Sequence, residues 1–124
     1  MSCILLIDDD TDMLAMTGRW LEKAGHRVLK AASGKEALSI LADGTAERPE
    51  LILLDYAMPE MDGPAVLRAI RALEGAGDIP ILYRTGVDDM DAMEAGDAKA
   101  CGFVSKSEGR PALINAVAKA LAGA

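Results

Sequence analysis

Residues 51–64 read LILLDYAMPEMDGP, and they contain a strand, its end, a turn and the start of a helix. Leu51 to Leu54 is apolar at every position, the pattern of a strand covered on both faces, as the strands of parallel sheets are. Asp55 stops the run. From Met58-Pro59 to Asp62-Gly63-Pro64 the chain is rich in turn formers, and Pro64 suits the first turn of a helix because its missing N–H would find no partner there in any case. Val66, Leu67, Ile70 and Leu73 then recur at helical spacing.

The same step repeats in both directions. Towards the N-terminus, Cys3 to Ile7 is apolar and ends in Asp8-Asp9-Asp10. Met13, Met16, Thr17, Trp20, Leu21 and Ala24 give a helix its inner face, and Gly25 supplies the stop. Arg27 to Ala31 is a second strand. Ser33, with Glu36 three residues on, makes a capping box for a helix through Ala37, Leu38, Ile40 and Leu41. Gly44 closes that helix, and a polar loop runs on through Pro49. Towards the C-terminus, Gly75 to Asp78 is a turn and Ile79 to Arg84 a fourth strand. Residues 88–100 form an acidic, alanine-rich helix anchored only by Met90 and Met93. Gly102 to Ser105 is a fifth strand, and Pro111 opens a last helix with Leu113, Ile114, Val117 and Leu121 inward. Alternating strands and helices predict an α/β, flavodoxin-like (βα)5 domain over residues 1–124, a doubly wound parallel sheet in the order 2-1-3-4-5.

Composition narrows the function. The 124 residues are 51% hydrophobic and 27% charged, within the range of folded globular domains, and long enough to bury roughly two thirds of the unfolded surface. The net charge of −7 argues against nonspecific binding to nucleic acid or anionic membrane. Trp20, Tyr56, Tyr83 and Phe103 are the only aromatic residues, too few to make a stacking platform for bases. Cys3 and Cys101 form neither a disulfide framework nor a metal-ligand spacing. No apolar run reaches membrane-spanning length, so a cytoplasmic setting with no membrane and no DNA partner is expected.

In a doubly wound sheet, ligands bind beyond the carboxyl ends of the strands where the strand order reverses. That point lies between the first and third strands. Asp8 and Asp9 follow the first strand and Asp55 follows the third, while the fourth brings Thr85 and the fifth Lys106 to the same edge. Three clustered carboxylates repel one another and so favour a bound cation or a proton. Their hard oxygens suit Mg2+. Beside a divalent ion, Asp55 can attack phosphorus as a nucleophile, with Lys106 offsetting phosphoryl charge and Thr85 donating a hydrogen bond.

The segments ILLIDDD, LILLDYAMPEMDG, PILYRTG and GFVSKS resemble, in order and spacing, the receiver domains of two-component response regulators. The resemblance covers almost the whole chain. It implies that Asp55 is the phosphoacceptor, and that Asp9 and Asp55 bind Mg2+ directly with the backbone carbonyl of Ala57, Asp8 acting mainly through water. It implies further that Lys106 pairs with the phosphate and that Thr85 and Phe103 are the switch residues. The implied partner is a sensor histidine kinase or a histidine phosphotransfer protein. The implied surface for a downstream protein target is the fourth helix, the fifth strand and the last helix. The chain would not act as an enzyme on a separate substrate, since self-phosphorylation and autodephosphorylation are its only chemistry.

Several of these residues have a plainer use. Asp10 reads as a helix cap, Asp62-Gly63 as the turn that starts the third helix, His26 as exposed polar surface, and the cysteines as small buried hydrophobes. The chain also departs from the family pattern. Ser107 follows Lys106 where proline is usual, and Arg84 stands before Thr85 where an apolar residue is common. Snorkelling past a helix to water is the simplest expectation for Arg84, with an extra anion contact near the site as the sharper one. Gly86 and Val87 leave the pocket open to water. These departures keep a second reading in view, a degenerate receiver that docks a partner without phosphorylation. An aspartate-nucleophile phosphatase needs a carboxylate where Ala57 stands, and a flavin protein needs a phosphate-cradling loop where the first loop is acidic.

Overall fold

A computed structural model describes residues 2–43, 48–56, 58, 62–73, 78–85, 102–105 and 109–122. Five strands make one sheet: β1 (Cys3–Ile7), β2 (Arg27–Ala31), β3 (Leu51–Asp55), β4 (Ile81–Thr85) and β5 (Gly102–Ser105). The order is β2-β1-β3-β4-β5, every neighbouring pair is parallel, and the strand order reverses between β1 and β3, as expected. The described helices are α1 (Thr11–Lys23), α2 (Gly34–Ala42), α3 (Gly63–Ala72) and α4 (Arg110–Ala122). The helix expected over 88–100 lies outside the described residues.

Alternation along the strands divides the core into two halves. Leu5, Ile7, Ile52, Leu54 and Tyr83 pack with Ala37 of α2 and with Val66, Leu67 and Ile70 of α3. Ile4, Leu6, Leu51, Leu53, Leu82 and Val104 pack on the other face with Leu14 and Leu21 of α1 and Leu113 and Val117 of α4. β1 and β3 are buried at every residue, which is why both read as unbroken apolar runs. Burying each of these Leu and Ile side chains contributes about 1.5–3 kcal/mol. β2 is an edge strand, and its exposed Arg27 and Lys30 discourage pairing with another chain.

Local signals set the helix ends. Asp10 caps α1 by accepting from the Asp12 and Met13 N–H groups at 3.0 and 3.2 Å, and Gly25 takes the left-handed turn after it with φ 97°. Ser33 Oγ accepts from the Glu36 N–H at 3.1 Å. The Glu36 carboxylate reaches back one residue further than a capping box requires, to the Ala32 N–H at 3.4 Å. Asp62 caps α3 by accepting from the Ala65 N–H at 3.0 Å.

Three expectations are corrected. β4 begins at Ile81 rather than Ile79, because Pro80 has no N–H to give to a ladder. Its carbonyl still accepts from the Ile52 N–H at 3.0 Å. β3 runs one residue longer, through Asp55, which pairs in register with Arg84. His26 is half-buried, because its N–H donates to the Leu21 carbonyl at 3.1 Å and turns the chain back over the end of α1. Its Nδ1 is buried without a hydrogen-bond partner among the described residues. Cys3 is buried, 2% exposed, as expected, and Cys101 lies outside the described residues.

Candidate functional site

The site is built at the strand ends on either side of the reversal. Asp8 follows β1 directly, and its N–H donates to the Ala31 carbonyl at 3.1 Å, prolonging the β1–β2 ladder by one residue. Its Oδ1 accepts from the Asp10 N–H at 3.0 Å. One short bend thus orients Asp8 and starts α1. Asp55 is the last residue of β3, and the Tyr56 N–H after it donates to the Arg84 carbonyl at 2.9 Å. Asp8 and Asp55 are 1% and 3% exposed, whereas Asp9 is exposed.

The start of α3 closes back onto the end of β3. The Gly63 N–H donates to the Tyr56 carbonyl at 2.7 Å. A Cβ on Gly63 would lie 2.8 Å from Tyr56 Cα and 2.9 Å from Tyr56 O, so the approach requires glycine. The Tyr56 and Tyr83 rings meet edge to face, with centroids 5.2 Å apart.

Among the described residues, Asp8, Asp9 and Asp55 form a group that could hold a metal, each offering a carboxylate oxygen, all within 4.8 Å of one another. The set fits Mg2+: three hard anionic oxygens, one of them on an exposed residue that leaves room for water ligands. Three like charges in so small a volume also need a cation nearby, and the chain supplies one.

Arg84 is 2% exposed. As the register partner of Asp55 across β3 and β4, it leaves the sheet on the same face, the one covered by α1. There its Nη1 donates to Thr17 Oγ1 at 2.6 Å, inside the core. Snorkelling to water is therefore wrong. The strand points the side chain into the packed layer beneath α1, where a polar helix residue receives it. Burial pulls the guanidinium below its ordinary pKa, and the charges of Asp8 and Asp55 act in the opposite direction. Its Nε is buried without a hydrogen-bond partner among the described residues. Thr17 read only as a member of the α1 stripe. Its one sequence signal was a hydroxyl at a position where the helical spacing calls for an apolar side chain.

The remaining expected site residues are described only in part. Thr85 ends β4 opposite Ser105, and Phe103 lies in β5 opposite Tyr83, but their side chains are outside the described residues. Ala57, Lys106 and Ser107 lie outside them altogether, as do Gly86 and Val87.

A sequence profile of the response regulator receiver domain matches residues 4–118. The chain belongs to that family. It is similar to the transcriptional regulatory protein PrrA of Mycobacterium tuberculosis, 41% identical over 97 residues, covering 75% of this chain and 40% of PrrA. It is also similar to the sporulation initiation phosphotransferase F of Bacillus subtilis, 31% identical over 91 residues, or 73% of this chain and 69% of that one. This receiver therefore spans less than half the length of the transcriptional regulator. Among solved structures, a response regulator receiver domain from Clostridium thermocellum superposes with a TM-score of 0.86 at 27% identity, covering 99% of this chain and 96% of the other. The chemotaxis response regulator CheY4 of Vibrio cholerae gives 0.85 at 27% identity, over 97% and 98% of the two chains. Among the described residues of the receiver, no helix is long and apolar enough to cross a membrane.

Proposed function

We propose that residues 1–124 act as the phosphoacceptor receiver of a two-component phosphorelay, with Asp55 accepting the phosphoryl group. The observation that carries this reading is the convergence of Asp8, Asp9 and Asp55 within 4.8 Å at the reversal of the sheet. A carboxylate oxygen of Asp55 attacks the phosphorus of a phosphohistidine on a kinase or phosphotransfer protein. A P–O bond forms, the P–N bond breaks, and the leaving imidazole keeps the electron pair and takes up a proton. Asp9, Asp55 and the Ala57 carbonyl would hold Mg2+ directly, with Asp8 acting mainly through water, and the ion would supply charge neutralisation at the phosphoryl oxygens. Lys106 pairs with the phosphoryl group, and Thr85 and Phe103 pass its arrival to the partner surface. Hydrolysis of the Asp55 phosphate is the chain's only turnover. The acidic balance of these residues favours a protein target over DNA for this segment.

The test is intact mass after incubation with acetyl phosphate and Mg2+. A gain of one phosphoryl mass is expected in the wild type, and none in Asp55→Ala or in EDTA. A second reading, docking without phosphorylation, has Arg84 in its favour, since a resident cation can offset the carboxylates without metal. No mass gain in a folded, Mg2+-supplied wild type would select it.

A further inference from the structure

Three carboxylates and one guanidinium share this corner of the sheet. The carboxylates come from the ends of β1 and β3, and the guanidinium reaches the same face from β4. Arg84 is not free to leave: it is 2% exposed, and α1 holds its Nη1 through Thr17 Oγ1 at 2.6 Å. A divalent ion entering the pocket therefore meets a fixed positive charge already set among its ligands' neighbours. Like charges repel strongly where water is excluded.

We infer that Arg84 is a positioning residue of the pocket, a resident cation anchored by Thr17 that offsets Asp8 and Asp55 before any ion binds and weakens the pocket's hold on that ion. The inference rests on the reading of Asp8, Asp9 and Asp55 as the Mg2+ ligands. Three carboxylates together with Arg84 carry a formal charge of −2, which one divalent ion neutralises. The phosphorylated state would then depend on a high local Mg2+ level, and the unphosphorylated apo state would keep its carboxylates in place without metal. Arg84 acts through these carboxylates and the backbone at Asp55 and needs no contact with the phosphoryl group.

The experiment is calorimetric titration of the full chain with MgCl2, comparing wild type, Arg84→Met and Arg84→Lys. The methionine keeps an unbranched stem of similar length and removes the charge, whereas the lysine keeps the charge. Arg84→Met is expected to bind Mg2+ about tenfold more tightly than wild type, and Arg84→Lys to stay within about twofold. A folded Arg84→Met with unchanged or weaker affinity overturns the inference while leaving the pocket reading intact. Absence of binding in wild type and Arg84→Met alike overturns both. Should Arg84→Met fail to fold, the 15N signal of Arg84 Nε in wild type decides, assigned by its loss in Arg84→Lys. That signal should move with Mg2+ along the same saturation curve, and a stationary signal overturns the inference.

Discussion

Arg84 Nη1 donates to Thr17 Oγ1 at 2.6 Å, joining the strand beside Asp55 to the helix that begins at the acidic cluster. The bond is buried and its donor is charged, so its loss is not repaired by water. Thr17→Val keeps the shape of the side chain and removes the acceptor. It is expected to lower the unfolding free energy by about 1–3 kcal/mol, read as a shift of the urea midpoint at constant slope. An unchanged midpoint would mean that the guanidinium finds another acceptor.

Arg84 itself presents a question of sign. Its pKa is lowered in the fold, mainly by burial and against the pull of Asp8 and Asp55. A base with a lowered pKa destabilises the fold while it is charged, and that penalty begins to fall only as the pH rises through its folded pKa, vanishing above its unfolded one. A guanidinium stays protonated near neutral pH, so the penalty applies throughout the neutral range. In saturating Mg2+, where the carboxylates have an ion, Arg84→Met is expected to be at least as stable as wild type, with a difference that is flat between about pH 6 and 9. Urea unfolding across that range checks it, and a loss of about 3 kcal/mol would contradict it.

The closure of α3 onto β3 makes a sharper demand. In Gly63→Ala the new Cβ meets Tyr56 backbone at 2.8 and 2.9 Å and Tyr83 Cε1 at 3.0 Å. Two of these neighbours are main chain and cannot swing aside. The substitution is expected to cost about 1–3 kcal/mol in stability and to slow phosphorylation by acetyl phosphate, because Tyr56 follows the acceptor directly. Denaturation and time-resolved intact mass measure the two effects separately. A full-rate, full-stability alanine variant would show that the loop relaxes at no cost.

Asp10 separates capping from chemistry within one acidic run. Asp10→Ala is expected to lose about 1 kcal/mol, and Asp10→Asn, an equally good cap, to lose only a few tenths. Both should still take up phosphate, because the Asp10 N–H that orients Asp8 belongs to the backbone. Failure of either to be phosphorylated would place Asp10 in the ion site.

Much of the architecture was legible because it depends on near neighbours. An unbroken apolar run such as Leu51–Leu54 has few uses other than a strand covered on both faces, and Asp10, Ser33, Asp62 and Gly25 signal helix ends over three or four residues. β4 was misplaced by two residues at its start because Ile79 and Ile81 look alike in sequence. Only the missing N–H of Pro80 between them determines where the ladder begins. The three aspartates of the site were legible for a related reason: strand order places their positions on one edge whatever the side chains do.

The sequence by itself determined the strands, the helix caps, the parallel order and the meeting of Asp8, Asp9 and Asp55, since all of these follow from periodicity and connection rules. Tertiary structure alone decided the fate of Arg84. Whether a charged residue in a strand reaches water or is buried depends on which face it leaves and on what the opposing helix offers there. Here the register with Asp55 sends it beneath α1, and Thr17, distant in sequence, is present to receive it.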